Sequence, residues 1–149
     1  MNFTGEHVFK QSRQQLWNHL MDPKVLAKIT PGKSSELEAL GNDRYKTVTH
    51  IKLGPVNGAF QGKLNLIDKN EPESFSIQME QLSKIGNAQA DMQLTLKEIS
   101  ENQTKLSFVA EAKLSGVIAR TGQRVMSAVA NKITKDIFES IEEHIEEEQ

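Results

Sequence analysis

The chain has 149 residues, 18 basic and 20 acidic, a net charge of −2 and no cysteine. A single domain of this length buries roughly 70% of the surface of its unfolded chain without disulfide staples, and the missing thiols exclude a disulfide framework and thiolate chemistry. The balanced charge argues against a nucleic-acid protein, which carries a basic excess. The N-terminus lacks a signal-peptide pattern and no apolar run nears the roughly 20 residues of a membrane span, so one cytoplasmic domain over residues 1–149 is expected.

Residues 2–9 alternate weakly and read as a first strand. Ser12 lies three residues before Gln15, a capping-box spacing, and Leu16, Trp17, Leu20 and Met21 follow on one face, which predicts a short helix over 12–21. Asp22-Pro23 starts a second short helix, since Asp is a good N-cap and Pro is favoured at the first helical position. Val25, Leu26 and Ile29 are its apolar face. Thr30-Pro31-Gly32 should stop it, because a residue before proline is pushed out of the α region.

From about Glu36 the hydrophobic period becomes two. Tyr45, Thr47, Thr49, Ile51 and Leu53 share one parity; after a Gly54-Pro55 turn, so do Phe60, Leu64 and Leu66. Phe75, Ile77 and Met79 follow, then Ala88, Ala90, Met92, Leu94 and Leu96, then Leu106, Phe108, Ala110, Ala112 and Leu114. With residues 36–40 this makes six strands after the helix pair. Alternation buries one face and wets the other, the mark of an antiparallel sheet. Gly58, Gly62, Ala88, Ala90, Ala110 and Ala112 fall on the inward parity and leave either close helix–sheet packing or a hollow. A dry hollow of ~300 Å³, at ~24 cal/mol per Å³, would cost on the order of 7 kcal/mol, against a typical domain stability of ~5–15 kcal/mol. Such a space should hold an apolar ligand or mobile water, or collapse.

The last thirty residues form an amphipathic helix. Val125, Val129, Ile133, Ile137, Ile141 and Ile145 recur at a spacing of four, widened by Met126, Ala130 and Phe138. The acidic end, residues 142–149, opposes the helix macrodipole, so the last turn should fray. The expected class is α+β: a curved antiparallel sheet of about seven strands wrapped around a long C-terminal helix, with two short helices after the first strand.

Catalytic motifs are scarce. His7, His19, His50 and His144 show no metal-ligand spacing, and no nucleophile elbow or dinucleotide loop occurs. The stretch 58–63 resembles a phosphate loop only faintly, with Leu64 where Ser or Thr is needed, and reads as strand. Asn102-Gln103-Thr104 reads as a turn. His7 shares parity with Phe3 and Phe9 and reads as a hydrogen-bonded structural histidine or a polar anchor for a ligand; His50 should face water. Tyr45, Thr47 and Thr49 are the few other inward groups with any acid–base capacity, at no diagnostic spacing. Lys28, Lys33, Arg120 and Arg124 are candidate basic contacts near helix ends.

Residues 12–32, S-R-Q-Q-L-W-N-H-L-M-D-P-K-V-L-A-K-I-T-P-G, resemble the N-terminal signature of the carbon monoxide dehydrogenase G-subunit-like family. Residues 52–63, K-L-G-P-V-N-G-A-F-Q-G-K, resemble its second signature, and residues 86–96 and 119–138 its later strand and C-terminal helix. The resemblance implies the helix-grip fold shared with START domains, pollen allergens and polyketide cyclases, with a cavity under the long helix. It implies a non-catalytic carrier of a lipophilic small molecule, a quinone or lipid, accessory to a molybdenum-containing hydroxylase. No metal or cofactor is implied. Some members continue into a membrane-anchoring tail; the acidic end here leads us to expect at most peripheral contact with the inner face of the membrane. Two other readings remain open: an adaptor docking on a partner enzyme through the acidic tail or the basic residues near Arg120, and a cyclase-like enzyme. The residues expected to line the pocket are Trp17, Ile29, Ile51, Phe60, Leu64, Phe75, Ile77, Met79, Met92, Phe108, Val125, Met126, Val129 and Ile133.

Overall fold

The computed structural model describes residues 1–29, 36–54 and 56–148. The expected helix stop at Thr30-Pro31-Gly32, Lys33, the proline of the Gly54-Pro55 turn and Gln149 lie outside the described residues. In chain order the elements are β1 (Asn2–Phe9), α1 (Arg13–Leu20), α2 (Pro23–Ile29), β2 (Glu36–Gly41), β3 (Arg44–Leu53), β4 (Val56–Asn70), β5 (Ser74–Ser83), β6 (Gly86–Ser100), β7 (Gln103–Leu114), a 3₁₀ turn (Gly116–Arg120) and α3 (Gln123–Glu147).

Local chemistry sets the early elements. The Ser12 side chain accepts from the Gln15 amide at 3.2 Å and the Gln15 side chain accepts from the Ser12 amide at 3.1 Å, so the capping box forms in full. Asp22 Oδ1 accepts from the Lys24 amide at 2.9 Å and caps α2. Asn42 and Asp43 both take positive φ between the paired Gly41 and Arg44, giving the tight hairpin that joins β2 to β3.

The seven strands form one antiparallel sheet in the order β1-β7-β6-β5-β4-β3-β2. β2 to β7 run as a meander, while β1 crosses to the far edge and pairs with β7. That crossing puts α1 and α2 on the same face as α3. β4 and β6 are 15 residues long, and sheets with such strands must coil. Gly62 marks one point of tight coiling: a Cβ there would overlap the backbone carbonyl of Glu80 on β5. Only a residue without a side chain admits that approach.

α3 departs from the expected stripe. Its buried residues are Val129, Phe138, Ile141, His144 and Ile145, whereas Val125 is 40% exposed. A helix advances about 100° per residue, so a strict spacing of four drifts about 40° per step and carries Val125 and Ile145 to different sides. Fraying of the last turn is also not what is found. The helix runs to Glu147, held by burial of His144 and Ile145 and by Lys28 Nζ lying 3.8 Å from Glu147 Oε2. Packing outweighs the macrodipole there.

Ile141→Ala should cost ~2–5 kcal/mol in denaturant unfolding, while Val125→Ala should change stability by less than ~0.5 kcal/mol. Gly62→Ala should exceed the ~1–3 kcal/mol of ordinary overpacking, because the obstacle is main chain rather than a side chain able to move; circular dichroism and thermal melting of the variant check this.

Candidate functional site

Hydrogen-bonded register lines up inward residues in rows across the sheet. Tyr45, Leu64, Met79, Ala90 and Ala112 form one row. The neighbouring row is Thr47, Gly62, Gln81, Ala88 and Leu114. On its first four strands that second row carries no bulky apolar side chain, and it separates two apolar clusters. The larger joins α1, α2 and the C-terminal half of α3 to the sheet, through Leu16, Trp17, Leu26, Phe75, Phe138 and Ile141 among others. The smaller groups Ile51, Val56, Phe60, Ile118 and Val129.

Between the clusters, residues of inward parity stay only half-buried. On the sheet these are Met79, Ala88, Ala90, Met92, Ala112 and Leu114; on α3 they are Met126, Ile133 and Ile137. An inward side chain in a closed core loses its accessible surface; these keep part of theirs. The described residues therefore leave a hollow between the middle of the sheet and the N-terminal half of α3. Small residues keep the sheet low there, and α3 is seated only at its far end. A 410 Å³ groove bordered by Ile67, Gln78, Asp91, Gln93 and Val109 lies instead on the outer, solvent face of the sheet.

The expected pocket residues divide accordingly. Trp17, Ile29, Leu64, Phe75, Ile77 and Phe108 are buried in the larger cluster, with Trp17 edge-on to Phe75 at 5.5 Å. Ile51, Phe60 and Val129 are buried in the smaller one. Met79, Met92, Met126 and Ile133 border the hollow. Val125 points to solvent. The residue that sequence reasoning misses is Gln81, only 6% exposed, because the inward alternation of β5 is legible no further than Glu80. Its Nε2 donates to Thr47 Oγ1 at 2.9 Å, across the gap that Gly62 leaves open. Its Oε1 is buried without a hydrogen-bond partner.

The histidines lie elsewhere. His7 Nε2 is 3.2 Å from Glu142 Oε1, and its ring stacks on Phe138 at 5.2 Å, which ties β1 to α3. His50 is exposed. His19 and His144, far apart in sequence, bring their rings to 5.6 Å, and His144 Nε2 lies 3.5 Å from Asp22 Oδ2 without hydrogen-bond geometry. Burial, and then the neighbouring His144, lower the His19 pKa from 6.5, against the pull of Glu148 and Asp22. Among the described residues no group of three His, Cys, Asp or Glu side chains is placed to hold a metal ion. No helix among them is long and apolar enough to cross a membrane.

The family model for the G subunit of carbon monoxide dehydrogenase (CoxG) matches residues 5–146. The chain belongs to the CoxG family. Three solved structures place its fold. A conserved protein from Geobacillus kaustophilus is 27% identical, with 99% of this chain and 96% of that one covered at a TM-score of 0.92. A START superfamily protein from Mycobacterium smegmatis is 10% identical, with 99% of each chain covered and a TM-score of 0.70. The Zhui aromatase/cyclase from Streptomyces sp. R1128 is 11% identical, with 98% and 93% covered and a TM-score of 0.71. The last two show the fold alone: this CoxG-family chain has the START-like helix-grip architecture expected from its motifs. No curated protein matches it.

The lowered His19 pKa sets the sign of an acid response. As pH falls through 6.5 the unfolded chain takes up its proton before the folded one, so the stability held by neutral His19 is complete above 6.5 and lost on the way down to its lowered folded value. Thermal midpoints should therefore fall between pH 7 and pH 5, and His19→Gln should flatten that slope.

Proposed function

We propose that this CoxG-family chain is a non-catalytic binder of a lipophilic small molecule, quinone- or lipid-like, held in the hollow between the sheet and α3. The observation that carries the reading is the set of inward yet half-buried residues: Met79, Ala88, Ala90, Met92, Met126 and Ile133. They offer apolar surface to a guest that a sealed core would have covered. Two methionines on the sheet and one on α3 suit a guest of variable shape, since the thioether side chain adapts its rotamers.

Lack of acid–base chemistry supports the non-catalytic reading. Along β3 to β7, the inward positions bordering the hollow carry Tyr45 but no Asp, Glu, Lys, Arg or His. General acid–base catalysis needs a titratable group within hydrogen-bond reach of the reacting atom. The His19–His144–Asp22 cluster sits instead at the junction of α1, α2 and α3. The family name points to the client: a molybdenum-containing hydroxylase of the carbon monoxide dehydrogenase type, met in the cytoplasm, with no more than peripheral contact at the membrane.

Native mass spectrometry of the purified protein, with organic extraction of what it carries, tests the binding. A reproducible apolar adduct is expected. Ala90→Phe, which fills the hollow from its floor, should reduce uptake of added quinone more than tenfold while the circular dichroism spectrum stays unchanged. A wild-type protein that takes up neither quinones nor fatty acids would sink the carrier reading.

A further inference from the structure

The Gln81 side chain stands out among the inward residues of the sheet. A glutamine on the concave face of an apolar cavity is dispensable for packing, since leucine or methionine would fill the same volume. Here it is 6% exposed, and only half of its amide is used: Nε2 donates to Thr47 Oγ1, while Oε1 is sealed from water without a partner. An unsatisfied buried acceptor lowers stability and calls for a compensating role. The residues flanking it in its row, Gly62 and Ala88, have little or no side chain. Met79, two residues back on the same face, is half-buried, and its flexible thioether can swing aside.

We propose that Gln81, backed by Thr47, is the polar anchor of the cavity and that it selects a lipophile headed by an uncharged oxygen, a hydroxyl or a carbonyl. The inference rests on the carrier reading above and adds the chemistry of the head group. The reasons are local. Thr47, Thr49 and Gln81 are neutral and buried, and the neighbouring row adds only Tyr45 as an ionisable group, so a carboxylate, phosphate or ammonium head would enter without a counter-charge. The amide is also reversible. As it stands, Oε1 accepts from a hydroxyl. Turned over, with the Thr47 hydroxyl donating to Oε1, the NH₂ group donates to a carbonyl. One anchor thereby receives both the reduced and the oxidised form of a quinone-like head.

The test compares three probes of equal chain length: 1-hexadecanol, hexadecane and hexadecanoate at pH 8. Each is titrated into wild type, Gln81→Leu and Thr47→Val by competition with a fluorescent lipid. Wild type should bind the alcohol about tenfold more tightly than the alkane, the worth of one buried hydrogen bond, and should bind the carboxylate least well. In Gln81→Leu the alcohol should lose that advantage while the alkane binds as before, and Thr47→Val should shift the preference the same way. Gln81→Leu should also melt higher than wild type; a glutamine kept only for packing would melt lower when replaced. An unchanged preference for the alcohol in both variants, or tightest binding of the carboxylate, overturns the anchor while leaving the carrier reading intact. Failure of all three probes to bind wild type overturns both.

Discussion

The structure depends on where α3 is held. Its C-terminal half is seated by Phe138, Ile141 and Ile145 in the same apolar cluster as α1, α2 and the sheet, and the His7–Glu142 pair ties it to β1. Ion pairs as exposed as Lys28–Glu147 contribute little by themselves, so burial does most of the holding. The N-terminal half has Val129 as its only buried residue among those described. One end clamped and the other loosely seated is what allows a space beneath the helix without loss of the fold.

The floor of that space comes from a second constraint, the register of the sheet. Because β3, β4, β5 and β6 pair as they do, Thr47, Gly62, Gln81 and Ala88 fall side by side. A row of large apolar residues there would have merged the two clusters into one core. Gly62 has a double role: it lets β5 approach closely enough for the sheet to coil, and it clears the path by which Gln81 reaches Thr47. The hollow and the curvature that encloses it thus share a residue.

Family membership and site chemistry answer different questions. The CoxG match and the likeness to START-superfamily and cyclase structures describe an architecture that serves several chemistries. What distinguishes this chain within that architecture is the content of its cavity: methionines, small residues, two buried threonines and one half-paired amide. Those groups can grip and orient a guest, and they offer little means of transforming it.

Much of the scaffold was readable from local pattern. The Ser12–Gln15 capping box, the Asp22-Pro23 restart, the period-two strands and the long final helix each rest on interactions within a few residues, and all are found in place. Inward parity was equally legible, since alternation along a strand is a property of the backbone. The rest depended on contacts between distant segments. That His19 meets His144, that the β1 edge pairs with β7, and that Gln81 lies beside Thr47 follow from register and crossing, which leave no local mark. Likewise, alternation predicts that Phe75 and Met79 both face inward, yet only the placement of α1, α2 and α3 decides that Phe75 is sealed and Met79 is open. Sequence by itself determined the elements and the face each one buries, because those are short-range matters of hydrogen bonding and periodicity. Which part of that buried face became a core and which a cavity was decided by tertiary structure, because that depends on how far one helix stands from seven strands.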